Sequence, residues 1–255
     1  MAEFETLAVS VADGVGRLTL NQPERLNPLG STALAEIARA AVWFDEQQTR
    51  VVIVAGAGDR AFSAGFDLRE HAGPTEGPMS PPELGRRMAD AIENMEAVAI
   101  AAIHGHCIGG GVVLAAACDL RVAADNTRFA IPEVDLGLPL SWGGIPRLVR
   151  EIGPAMTREL VMTCRPFDAT EAQAMGFVNR VVPRADLEAV VAELAGSLAA
   201  KAPSVLRATK RQVQTAAEDL ASTRDGWAGA ALINEALHDP EARAAAARYL
   251  EGLGR

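Results

Sequence analysis

The sequence predicts an α/β fold, a sheet-containing core followed by a helical C-terminal part. Three observations carry that prediction. Short apolar runs of strand length, Val51–Ala55, Ala97–Ile103 and Leu120–Ala124, alternate with segments of helical spacing. Polar stretches rich in Gly, Pro and Asn punctuate those runs. After about residue 143 the strand signal fades, and 185–253 is alanine-rich with helical periodicity.

Taken in order, Leu7–Val11 and Val15–Leu20 flank Ala12-Asp13-Gly14 and read as a hairpin. Asn21–Gly30, with Pro23 and Pro28, is a polar loop. Over 32–46, Leu34, Ile37, Ala38, Ala41 and Phe44 fall on one stripe, which predicts an amphipathic helix. Val51–Ala55 is unbroken and β-branched, the pattern of a strand buried on both faces; the two later runs repeat it with more alanine. The stretch HAGPTEGPMSPPE, residues 71–83, reads as a mobile loop leading into a helix over 84–96. Thr170 with Gln173 suggests a capping box, and Gly176 stops that short helix. Leu187, Val190, Val191 and Leu194 mark a helical face further on. The chain thus divides into a core over 1–190 and a helical region over 191–255, with no internal repeat.

Composition narrows the function. A chain of 255 residues with 49% hydrophobic and 22% charged side chains is that of a soluble, well-cored protein. Ala97–Ile103 and Val112–Cys118, the longest apolar stretches, fall far short of the ~20 residues that span a bilayer. The segment MAEFETLAVS is acidic and lacks an apolar centre, so no signal peptide is expected. Cys107, Cys118 and Cys164 are odd in number and not at metal-ligand spacing, which predicts reduced buried thiols, a cytoplasmic protein and no metal site. A net charge of −9 argues against nucleic acid, though a phosphorylated small ligand needs only a few local cations.

Two glycine-rich stretches compete as ligand sites. VVIVAGAGDRA, residues 51–61, fits the dinucleotide pattern G-x-G-x-x-G/A. That pattern should open a helix directly, yet Phe62-Ser63-Ala64-Gly65-Phe66 follows, so a plain loop is the better reading. The second stretch is HGHCIGGGVVLAAACDL, residues 104–120, where Gly109–Gly111 precede an apolar helix. One reading is a tight strand-to-helix turn. The other is functional: a helix start offers unpaired N–H groups and its positive dipole end, and glycine lets a ligand approach that backbone. Such a terminus can hold an oxyanion without any reactive side chain.

The chain resembles the enoyl-CoA hydratase/isomerase family, the crotonase superfamily, over almost its whole length. The matching stretches are Asn21–Leu29, Ala61–Glu70, His104–Leu120 and Phe129–Gly137, in the right order and spacing, with Glu171–Val178 resembling a later helix of the family. The resemblance implies a crotonase-like core of repeated ββα units and C-terminal helices used in trimerisation, so a homotrimer or homohexamer is expected. It implies a coenzyme A thioester as substrate and no permanently bound cofactor. The family's oxyanion hole, carried onto this sequence, is formed by the N–H groups of Phe66 and Gly110. Arg25 and Arg69 stand where similar proteins keep cations near the CoA phosphates, and Asp67 and Leu68 where the loop meets the adenine end. Ala64, Gly109 and Trp142 are expected to complete the thioester site.

The sequence also departs from the pattern. Hydratases of the family carry two glutamates; the first position is Val113 here and the second is Glu133, after Pro132. A single carboxylate suits proton shuttling, and an apolar setting from Val113, Leu138 and Trp142 would raise its pKa toward neutrality. The residue pattern resembles monofunctional isomerases, which convert 3-enoyl to 2-enoyl thioesters. A one-glutamate hydratase, a non-catalytic acyl-CoA binder and other thioester chemistry remain open. Ser141 is a hydroxyl where some relatives place an acid. Asp135 reads as solvated, His104 and His106 as satisfied structural histidines, and His71 as a residue bordering the 71–83 loop.

Overall fold

The computed structural model describes residues 3–70, 79–224 and 228–253. It opens with a hairpin, β1 (Leu7–Ala12) and β2 (Val15–Leu20), whose turn residues Asp13 and Gly14 both have positive φ. That geometry matches the right-handed twist of the flanking strands. Helix α1 (Ser31–Glu46) follows. Three units then share one plan. They are β3 (Val51–Gly56), β4 (Ala61–Ser63) and α2 (Pro81–Asn94); β5 (Val98–Ile103), β6 (His106–Ile108) and α3 (Gly110–Ala117); and β7 (Leu120–Ala124), β8 (Arg128–Ala130) and α4 (Gly144–Thr163). The chain ends with β9 (Phe167–Asp168), α5 (Ala169–Ala174), β10 (Arg180–Val182), α6 (Leu187–Ala199), α7 (Pro203–Leu220), α8 (Ala228–His238) and α9 (Pro240–Leu253).

Each unit gives its long strand to one sheet and its short strand to another. The large sheet runs β1-β2-β3-β5-β7-β10, parallel from β2 onward. The small sheet runs β4-β6-β8-β9, with β4, β6 and β8 parallel. The α/β crotonase-like prediction therefore holds, and the repeat that the residues do not show is present in the backbone.

Burial explains the sequence of the long strands. Val52, Val54, Ala99, Ala101 and Ile103 face the main core with α1, α2 and α3. Val51, Ile53, Ala55, Ile100, Ala102 and Val122 face a second core closed by Leu187, Val191, Ala195 and Ala199 of α6. A sheet covered on both faces has no polar side to alternate with, hence the unbroken apolar runs. The boundary drawn at residue 190 falls inside α6.

Several expectations need correction. Helix α2 starts at Pro81, not 84, because Pro81 and Pro82 fit its first turn and Ser80 with Glu83 forms a reciprocal capping box. Residues 71–78 of the expected mobile loop, His71 among them, lie outside the described residues. The cap of α5 is Asp168, whose side chain accepts from the Glu171 N–H, rather than Thr170, which sits in the helix. Gly176, at φ 90°, does follow that helix end. The strands β9 and β10 escape notice because pieces this short carry no measurable alternation. After β3 the chain enters β4 instead of a helix, so the first glycine stretch is a strand-to-strand connection.

Candidate active site

The site is built where three parallel strands of the small sheet end. Phe66 follows β4, Gly110 follows β6 and Glu133 follows β8. Because those strands are neighbours, their exits lie side by side, and all three residues line one cleft of ≈ 270 Å³.

The first exit is pinned by the polar loop before α1. Asn27, buried and at φ 53°, donates to the carbonyls of Ala57 and Ala61, each at 2.9 Å. Ser63 Oγ donates to the Asn27 carbonyl (2.8 Å) and accepts from the Gly65 N–H (3.1 Å). Ala64 donates to Leu26, and Leu29 to Gly65, both at 2.8 Å. The chain turns at Gly65, φ 83°, where a Cβ would stand 2.5 Å from the Ile108 carbonyl oxygen and 3.3 Å from the Gly110 nitrogen. Only glycine fits so close an approach. The peptide before Phe66 therefore abuts the start of α3.

At the second exit, Gly109 caps α3 with φ 49° and ψ −113°, and its N–H donates to Ala130 at 2.9 Å. Gly110, the first helical residue, has no intrahelical acceptor for its N–H. Among the described residues, no backbone or side-chain acceptor takes the N–H of Phe66 or Gly110. Helix α3 is buried all round, so its N-terminal field acts in an environment largely shielded from water.

The third exit ends in a turn over 133–137, in which Leu138 donates to the Glu133 carbonyl at 2.8 Å. Residue Glu133 as a whole is half-buried, but its Oε2 is shielded from solvent and has no hydrogen-bond partner. Burial pushes this carboxyl up from its ordinary 4.5 to about 7, against a smaller lowering from its own backbone N–H. Val113, Leu138 and Trp142 share the cleft with it, as the sequence predicts. Ser141 also lines the cleft, whereas Asp135 is exposed within the turn.

Trp142 lies between two glycines. A Cβ on Gly110 would meet its Cζ3 at 2.3 Å, and one on Gly85 of α2 its Nε1 at 2.1 Å. Its ring meets Phe66 edge to face, with centroids 6.2 Å apart. The tryptophan is thus part of the wall rather than a loose contact.

The remaining predicted residues do not line the cleft. Arg25 and Asp67 form an ion pair with each other, and Arg25 Nε is buried without a partner. Leu68 and Ala64 are half-buried, and Arg69 is exposed. The Arg69 N–H donates to Asp67 Oδ1 at 3.2 Å. The structure therefore brings Phe66, Gly109, Gly110, Glu133 and Trp142 together, places Ala64, Asp67, Leu68 and Arg69 on the loop that carries Phe66, and joins Arg25 of the preceding loop to it through Asp67.

Several lining residues carry no sequence signal. Glu70 lines the cleft and accepts from the Ser31 N–H and hydroxyl. Ile233, Asn234 and Leu237 of α8 cover the opposite side. The i, i+4 pair Ile233/Leu237 announces an apolar helix face, but not what it covers. His106 is exposed; His104 is buried beside the Gly58 backbone with Nε2 unpartnered, so it is satisfied at most in part, and burial lowers its pKa.

No single helix among the described residues is long and apolar enough to cross a membrane. The sequence model of the enoyl-CoA hydratase/isomerase family matches residues 10–254. A probable enoyl-CoA hydratase of Mycobacterium bovis is 35% identical over 215 residues, covering 84% of this chain and 83% of that protein. A carnitinyl-CoA dehydratase of Escherichia coli is 37% identical over 218 residues, covering 84% and 82%. The crystal structure of an enoyl-CoA hydratase/isomerase from Pseudoalteromonas atlantica superposes with a TM-score of 0.89 at 28% identity, covering 97% of this chain and 98% of that one. The chain belongs to the enoyl-CoA hydratase/isomerase family, whose members process acyl-CoA thioesters.

Proposed function

We propose that this enzyme moves a proton on an acyl-CoA thioester, with Glu133 as its single acid/base, and that its preferred reaction converts a 3-enoyl-CoA into the 2-enoyl-CoA. The observation that carries the reading is the state of Glu133: a carboxyl with Oε2 buried and unpartnered, its pKa raised to about 7 by burial, at the mouth of the Gly109–Gly110 turn. A base so poised is partly ionised at neutral pH and strong enough to accept a carbon-bound proton.

In this reading the thioester oxygen receives hydrogen bonds from the Phe66 and Gly110 N–H groups. The Glu133 carboxylate takes a proton from C2, and the electron pair of the broken C–H bond moves into the carbonyl to give an enolate. The two amides and the α3 terminus stabilise that oxygen. The protonated Glu133 then delivers the same proton to C4 as the double bond shifts to C2–C3. No proton or electron is gained or lost. Val113, which lines the cleft at the place of the first hydratase glutamate, favours this route because its side chain cannot hydrogen-bond a water molecule.

Hydration or dehydration is the second reading, favoured by the hydratase and dehydratase names of the relatives. Ultraviolet absorbance separates the two. A 3-enoyl-CoA gains conjugation and absorbance on isomerisation; a 2-enoyl-CoA loses them on hydration. Absorbance rising with 3-enoyl substrates and flat with 2-enoyl substrates supports isomerisation. The reverse pattern assigns hydration. Assembly as a homotrimer or homohexamer belongs to the same reading, and Val205, Val213 and Leu220 are exposed apolar side chains of α7 suited to a subunit contact. Light scattering on the purified protein tests it.

A further inference from the structure

We infer that Arg147 and Trp142 form a clamp that sets the spacing of the Phe66 and Gly110 amides, making both of them positioning residues for the thioester oxygen. The inference rests on the proposed oxyanion site. It begins with an outlier. Trp142 sits at φ 58° and Gly143 at φ 67°, so two successive residues are left-handed, one of them a bulky aromatic. A tryptophan in that conformation is strained and persists only when its surroundings force it.

Arg147 supplies the force. It is 1% exposed, and its Nη1 donates to the carbonyls of both Trp142 (3.0 Å) and Gly143 (3.3 Å). Its Nη2 donates to Asp90 Oδ1 (3.0 Å) and Glu93 Oε2 (2.5 Å), which both belong to α2. Helix α2 also carries Gly85, the floor beneath the indole. One guanidinium therefore ties the strained turn to the helix on which the indole rests.

The indole reaches the other way too. The atoms nearest Gly85 are Cε2, Nε1 and Cδ2; those nearest Gly110 are Cζ3, Cη2 and Cε3. The six-membered part of the ring thus bears on the first residue of α3, and the ring edge meets Phe66. Trp142 is in contact with both residues whose amides must converge on one oxygen. A displacement of about an ångström at such a site costs up to about a hundredfold in rate.

Trp142→Phe and Arg147→Lys test the clamp. The phenyl ring of Trp142→Phe keeps the contact with Gly85 but loses the outer carbons over Gly110. Arg147→Lys keeps a charge opposite Asp90 and Glu93 but cannot hold both carbonyls as well. Binding of hexanoyl-CoA is compared with that of its thioether, S-hexyl-CoA, which lacks the carbonyl; turnover and thermal melting are measured on the same samples. The wild-type protein is expected to prefer the thioester about tenfold, the worth of two neutral hydrogen bonds. In both variants that preference should collapse and kcat fall about 10- to 100-fold, while in Arg147→Lys, whose side chain lies outside the cleft lining, S-hexyl-CoA binds within twofold of wild type. Retention of the preference and of kcat in both variants overturns the inference. So does a loss of kcat that merely follows loss of folded protein or of thioether binding, since the turn would then be structural only. A wild-type protein without thioester preference or turnover instead overturns the proposed oxyanion site.

Discussion

The α-carbon of Gly109 stands so near Glu133 that a Cβ built on it would lie 2.6 Å from Oε1. The carboxyl is thereby held against the glycine turn, with its Oε2 shielded and unpartnered. Glu133→Gln keeps the shape and removes the proposed base. Turnover should drop by about 10²–10⁴, the usual worth of a positioned acid/base. Affinity for a saturated acyl-CoA should stay near wild type by calorimetry. Surviving turnover would place the base elsewhere.

Glu133 also predicts two pH dependences. A base near pH 7 must lose its proton to act, so kcat/KM should rise with pH through about 7 and level off above it. Stability runs the other way. Below the ordinary value of 4.5 the group is protonated both folded and unfolded, and contributes nothing. Above it the unfolded chain releases the proton freely while the folded protein retains it, a handicap complete above about 7. Glu133→Gln should therefore gain melting temperature relative to wild type between pH 4.5 and 8, which paired melting curves check. A constant difference across that range would mean the carboxyl is not shielded.

Val113 is 1% exposed and shares the cleft with Glu133. Val113→Glu restores the second carboxylate of the hydratase pattern. It should increase 2-enoyl-CoA hydration, read as loss of absorbance, at some expense in stability because the new charge is buried. No gain in hydration would show that the cleft cannot seat a water molecule in line with the double bond.

Gly65 pairs a positive φ with a 2.5 Å approach to the Ile108 carbonyl. Gly65→Ala must either enter the left-handed region, at about 1–2 kcal/mol, or shift the chain away from α3. Melting should fall by several degrees and kcat by at least about tenfold. An unchanged kcat in the folded variant would separate this turn from the chemistry.

Lys210 of α7 is nearly buried, and its ammonium lies 2.8 Å from both Asp119 Oδ2 and the Ala97 carbonyl. Burial raises the Asp119 pKa despite that neighbour. Lys210→Met would leave the carboxylate buried opposite an apolar chain, a loss of about 3 kcal/mol by denaturant unfolding. The deficit should shrink in acid as Asp119 protonates. A variant as stable as wild type would mean that the pair does not tether α7.

The residues disclosed the large sheet well, because strands buried on both faces must be apolar throughout; Val51–Ala55 and Ala97–Ile103 leave little choice. They disclosed the small sheet poorly. Its strands are as short as His106–Ile108, and their pairing comes from chain reversals at Gly105 and neighbouring turns, not from periodicity. The glycines of residues 109–111 were visible as an open backbone, yet their distance from Phe66 depends on strands far apart in sequence. Glu133 was marked by resemblance and its raised pKa was expected from its apolar neighbours, whereas its unpartnered Oε2 is a property of packing. Trp142 was legible as an apolar neighbour and a member of the thioester site, but not as a wedge. Nothing local announces that Gly85 and Gly110 lie on opposite sides of its ring.

Phe66, Gly110 and Glu133 occupy equivalent corners of three successive structural modules. The machinery is therefore interchangeable in a way the scaffold is not. The side chain just beyond β8 can be exchanged to alter what is protonated while the hydrophobic layers beneath stay as they are, whereas Gly110 beyond β6 admits no side chain, since a Cβ there would meet Trp142 at 2.3 Å. Diversifying position 133 and the α8 face across from it, with Gly110 and Phe66 kept, should yield a library whose members mostly fold and differ mainly in which reaction they catalyse.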